Sequence, residues 1–69
     1  MGDLQVRTAK EYDFSGKREV VRLRWRERGA RRWNSRIVVP QEGQTVGYIM
    51  NHATVIAEAL QREALAARQ

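Results

Sequence analysis

The sequence has no cysteine, one proline, one histidine and five aromatic residues among its 69 positions. Without cysteine there is neither a disulfide staple nor a thiolate metal cluster. A lone His52 cannot supply the two or more nitrogen and sulfur ligands of a zinc site, so no metal or other cofactor is expected. No apolar run approaches the roughly 20 residues of a membrane span. The opening Met1-Gly2-Asp3-Leu4-Gln5 lacks the basic-then-apolar order of a secretory leader. With no cysteine to oxidise, the expectation is a cytoplasmic protein without membrane contact. Catalytic signatures are missing too: there is no cysteine nucleophile and no glycine-rich phosphate loop. Ser15 and Ser35 stand at no recognisable spacing from His52, and Glu11 and Asp13 belong to no partner motif. A non-enzymatic binding protein is expected. Residues 1–69 make a single domain, whose core supplies only roughly 3–5 kcal/mol at this size. Self-association is then the most available further source of stability.

What is abundant is positive charge of one kind. The net charge is +5, and residues 17–36 concentrate it: nine basic side chains (Lys17, Arg18, Arg22, Arg24, Arg26, Arg28, Arg31, Arg32, Arg36) stand against Glu19 and Glu27. Most of these are arginine, whose planar fork matches phosphate and base edges where lysine acts as a point charge. A solvated charged surface would also account for such a composition.

The placement of the charge along the chain is informative. Leu4-Gln5-Val6-Arg7-Thr8 alternates apolar and polar, and the strand it predicts extends toward Tyr12 or Phe14, before a turn through Gly16. In Val20 to Glu27 the alternation is strict. Val21, Leu23 and Trp25 share one face and Arg22, Arg24 and Arg26 the other, which only a strand can achieve. After Gly29 a third run, Arg32 to Val39, sets Trp33, Ile37 and Val39 on one face against Arg32, Asn34 and Arg36, until Pro40 ends it. A hairpin centred on Gly29 pairs Trp25 with Trp33, Leu23 with Ser35 and Val21 with Ile37 inside. Outside it pairs Arg26 with Arg32, Arg24 with Asn34 and Arg22 with Arg36. Thr45 suits a helix N-cap, with Asn51 as the alternative for a later start. Val46, Ile49, Met50, Ala53, Ile56, Ala57, Leu60, Ala64 and Ala67 recur at helical spacing. The expected fold is α+β: a three-stranded antiparallel sheet over about residues 3–40, packed on one C-terminal helix over about residues 45–67 (β-β-β-α).

Arginines crowded on one sheet face repel each other, a cost that an anionic ligand offsets. A two-stranded ribbon fits the DNA major groove, where arginine reads guanine and asparagine reads adenine. The expected nucleic-acid-binding residues are Arg22, Arg24, Arg26, Arg32, Asn34 and Arg36 on the outer face, with Arg28 and Arg31 at the loop and Arg18 at the strand end reaching phosphates. With both tryptophans turned inward, the outer face lacks the stacking platforms of single-strand binders, which favours duplex DNA. His52 reads as a partly buried structural residue. Tyr48, Val55, Ala59 and Ala66 fall on a helix flank outside the main apolar arc, a seam suited to a homodimer.

The stretch Val21-Arg22-Leu23-Arg24-Trp25-Arg26-Glu27-Arg28-Gly29-Ala30-Arg31-Arg32, followed by a third strand and an alanine-rich helix, resembles the arm-type DNA-binding domains of tyrosine phage integrases. In that family a three-stranded sheet backed by a helix lays its exposed face into the major groove. The resemblance spans residues 20–65 and implies the groove-facing role for Arg22, Arg24, Arg26, Arg32, Asn34 and Arg36. The helix here is longer than the family's, and core-binding and catalytic domains are absent. The resemblance therefore implies a stand-alone accessory or regulatory factor of phage or bacterial origin, and no integrase activity. The other reading is a small protein-interaction module, such as a phage-encoded inhibitor, whose basic sheet occupies an acidic host-protein surface.

Overall fold

The computed structural model describes residues 3–68. Met1 and Gly2, on which part of the leader reading falls, and Gln69 lie outside the described residues. Three strands, β1 (Leu4–Asp13), β2 (Arg18–Glu27) and β3 (Asn34–Val38), form an antiparallel sheet in the order β1-β2-β3. Two helical segments, α1 (Val46–Asn51) and α2 (Ala53–Ala67), follow. The expected α+β order of strands and C-terminal helix is the observed one.

Strand β2 organises the molecule: Val20 and Val21 are both buried at its start, and from Val21 to Arg26 its side chains alternate between the two faces. Val21, Leu23 and Trp25 are buried, while Arg24 between them is exposed. Leu23, Trp25, Ala53 and Ala57 make the core, flanked by Leu4, Val6, Val38, Ile56 and Leu60. The small Ala53 and Ala57 let α2 approach the sheet closely. A buried indole also needs a partner for its N–H. Trp25 Nε1 donates to Gln61 Oε1 at 3.0 Å, and Gln61 Nε2 donates to Glu27 Oε1 at 3.0 Å, so one glutamine ties α2 to the end of β2. No helix among the described residues is long and apolar enough to cross a membrane.

The turn between β1 and β2 differs from the glycine turn its sequence suggests. The left-handed residue is Lys17, at φ 52°. A Cβ on Gly16 would lie 2.7 Å from Asp13 Oδ2 and 2.8 Å from Arg18 Nε, so these two flexible side chains would have to shift to admit one. At the next turn Gly29 does take a positive φ, 87°, as Ala30 N–H donates to the Glu27 carbonyl at 2.9 Å.

Thr45 caps α1, its hydroxyl accepting from the Tyr48 amide at 3.0 Å. The expected single helix is interrupted at His52, whose φ of −109° and ψ of 16° leave the helical region. The imidazole stacks on the Tyr48 ring, with centroids 4.2 Å apart, and Nδ1 lies 2.8 Å from the Tyr48 carbonyl oxygen. These contacts give His52 a structural role, as expected, though on an exposed site. Periodicity could not reveal the break, since Ile49, Ala53 and Ala57 stay buried across it.

Candidate nucleic-acid interface

The β2–β3 register is one residue away from the expected one. Trp25 pairs with Asn34, Leu23 with Arg36 and Val21 with Val38. Because side chains alternate with period two, a one-residue shift exchanges the faces of β3. Val38 joins the core flank, while Trp33 and Ile37 turn to the outer face beside the arginines of β2. The pairing of Trp25 with Asn34 centres the hairpin between Gly29 and Ala30. Ile37, Val38 and Val39 are apolar in either parity, which lets β3 bury Val38 in place of Ile37.

Several expected site residues are relocated by this shift. Asn34 lies on the helix side and its amide donates to the Trp25 carbonyl at 3.2 Å, so it is engaged within the hairpin. Arg36, opposite Leu23, is exposed on that same side. Arg32 belongs to the loop with Arg28 and Arg31, all three exposed. Of the expected outer face, Arg22, Arg24 and Arg26 remain together. The pairings of Arg26 with Arg32 and Arg22 with Arg36 do not form; Arg22 stands opposite Ile37.

Arg7, Trp33 and Ser35 complete the face. The alternation of Leu4, Val6 and Thr8 already pointed Arg7 outward, and the register places it directly opposite Arg24. The Trp33 ring is half-buried, with the Arg26 guanidinium carbon 4.4 Å and the Arg7 guanidinium carbon 5.0 Å from its centroid. Both distances suit cation–π attraction. Two of the arginines are tethered. Arg22 bonds both carboxylate oxygens of Glu11, at 2.6 and 3.2 Å, and reaches Ser35 Oγ at 3.4 Å. Arg26 donates to Gln5 Oε1 at 2.6 Å and to the Ala30 carbonyl at 3.2 Å. Among the described residues neither Arg7 nor Arg24 forms an ion pair. Rim charges are partly matched: Arg28 lies 3.6 Å from Asp3 and Arg18 3.8 Å from Asp13.

No family model, curated protein or solved structure matches this chain.

The Glu11–Arg22 pair gives the face a pH dependence. Hydrogen bonding from Arg22 is the main cause that holds the Glu11 carboxyl below its ordinary value of 4.5; desolvation opposes it, and the charges of Arg22 and Arg24 add smaller lowering effects. The same bond raises the Arg22 pKa. A depressed folded-state pKa stabilises above the unfolded value and loses that contribution as pH falls through the folded one. Wild-type stability is therefore expected to drop on acidification below pH 4.5 more steeply than that of Glu11→Gln. Denaturant melts of both proteins between pH 3 and pH 7 check this; parallel curves would remove the pair from the account.

Proposed function

We propose that this chain binds single-stranded nucleic acid, DNA or RNA, through the outer face of its sheet. The observation that supports this reading is the like-charged pair Arg7 and Arg24, opposite each other and in no ion pair among the described residues, beside an arginine-stacked tryptophan. Like charges across strands destabilise a sheet, and a phosphate bound between them removes that cost. Single-strand binders combine a basic track for the backbone with aromatic rings on which bases stack. Trp33 supplies such a ring. A base arriving there exchanges with a guanidinium, and the released Arg7 turns to the phosphate. Arg28, Arg31 and Arg32 extend the basic track along the loop.

The preference for duplex DNA rested on both tryptophans facing inward. With Trp33 outside, that reason falls away, and Asn34 and Arg36 no longer share a groove-facing surface with Arg24. The protein remains a candidate accessory or regulatory factor, with the strand rather than the groove as its target.

Mobility shifts with single-stranded DNA, single-stranded RNA and duplex DNA across a salt titration test the proposal. Single strands are expected to bind more tightly than duplex. Arg24→Ala should weaken all single strands alike and lower the log–log salt slope by about 0.7, the value for one lost phosphate contact. Tighter duplex binding would return the major-groove reading. No binding to any nucleic acid would leave the acidic host-protein surface as the target of the basic face.

A further inference from the structure

The two edges of the sheet are unlike. β3 has five residues and Pro40 lies just beyond it, features that blunt an edge. β1 has ten residues, contains neither proline nor glycine, and pairs with β2 at every position. Among the described residues its other side carries no strand, leaving a row of unpaired backbone donors and acceptors.

The chain itself specifies what fits this row. Arg28 N–H donates to the Asp3 carbonyl at 3.0 Å, continuing the β1–β2 register. The antiparallel alternation of bonded and non-bonded pairs then commits the backbone groups of Gln5, Arg7, Ala9 and Glu11 to β2. Those of Leu4, Val6, Thr8, Lys10 and Tyr12 point to the open side. A second β1, antiparallel to the first, can hydrogen-bond here only if even-numbered residues meet even-numbered ones. Centred on Thr8, this pairing sets Arg7 against Ala9 and leaves Glu11 against Gln5. Centred on Lys10, it sets Lys10 against itself. Centred on Ala9, it sets Arg7 against Glu11 of the second copy, and the two-fold axis repeats the pair. Ala9 then meets itself at a non-bonded position, where Cα atoms approach to about 4.5 Å and a small side chain is needed. On the inner face Val6 meets Tyr12 of the second copy, covering a ring that is 49% exposed.

We propose that two copies of this chain pair β1 to β1 in the register centred on Ala9, forming a six-stranded antiparallel sheet with one continuous basic outer face. Charge complementarity of the strand with itself selects this occupant: Glu11 is then shared between Arg22 of its own chain and Arg7 of the second copy, and Arg24 is left as the arginine open to phosphate. The expected helix seam has less to recommend it. Tyr48 belongs to α1 and lies over His52, whereas Val55 and Ala59 belong to α2 beyond the break.

Sedimentation of the full chain decides the matter. The wild type is expected at twice its 8.0 kDa mass. Arg7→Glu and Glu11→Arg each place like charges across the axis and should each give a monomer. An equimolar mixture of the two variants sets opposite charges across again and should restore the dimer. Lys10→Pro removes an amide that points only to the open edge, a position that tolerates proline, and should give a folded monomer by far-ultraviolet circular dichroism. A monomeric wild type at hundreds of micromolar overturns the proposal. So does a folded Lys10→Pro variant that remains dimeric, or a mixture of folded charge variants that remains monomeric. A dimer lost only in Val55→Glu would assign the contact to the helix flank and overturn it equally.

Discussion

Trp25→Ala is expected to leave the chain unfolded at room temperature. The indole is 4% exposed and lies in the cluster that joins β2 to α2. Removing a buried tryptophan costs about 3–5 kcal/mol in transfer and cavity terms, as much as a core of this size supplies. The substitution also strands Gln61 Oε1, which accepts from the indole N–H. Loss of the far-ultraviolet signal without a cooperative melt is the expected result. Trp33→Ala serves as the control, since a half-buried residue on the outer face should move the melting midpoint far less. A Trp25→Ala protein that melts like the wild type would contradict the core described above.

The same control becomes the test variant when binding is measured. Base stacking on an aromatic ring contributes about 1–3 kcal/mol, so Trp33→Ala should weaken single-strand binding by roughly 5- to 150-fold. Trp33→Phe, which keeps a flat ring, should recover most of that loss. The two arginines that approach the ring give a second readout. A base displacing either one changes the surroundings of the indole, so Trp33 fluorescence should shift on titration with an oligonucleotide, while Trp25, in the core, should not respond. Wild-type affinity in Trp33→Ala would show that the strand is held by charge alone.

Trp33 also marks where the sequence stopped being legible. β2 could be read because every second residue from Val21 to Trp25 is apolar and every intervening one is arginine. The helical face and the Thr45 cap were equally plain. The register of β3 was not, because Ile37-Val38-Val39 satisfies either parity and the turn geometry had to choose. One residue of difference moved Trp33 outward and carried Asn34 and Arg36 to the opposite side. Arg7 was a different kind of omission. Its outward direction follows from the alternation of Leu4, Val6 and Thr8, but it lies outside the arginine-dense segment 17–36. The turn at Lys17 had no usable signal, since a neighbouring glycine normally takes the left-handed conformation. Here Lys17 takes it and Gly16 stays outside the left-handed region.

The alternation in β2 has an evolutionary consequence. The residues that hold the fold and the arginines proposed to bind a ligand are interleaved along one strand, on opposite faces. Arg24 meets Ser35 and Arg7 across the strands, whereas its chain neighbours Leu23 and Trp25 meet the helix side. Substitution at Arg24 can thus alter what the molecule recognises without reopening the question of how it folds. On the proposed function, such a scaffold could change its target through exposed positions like Arg24 while the buried positions beside it stay the same.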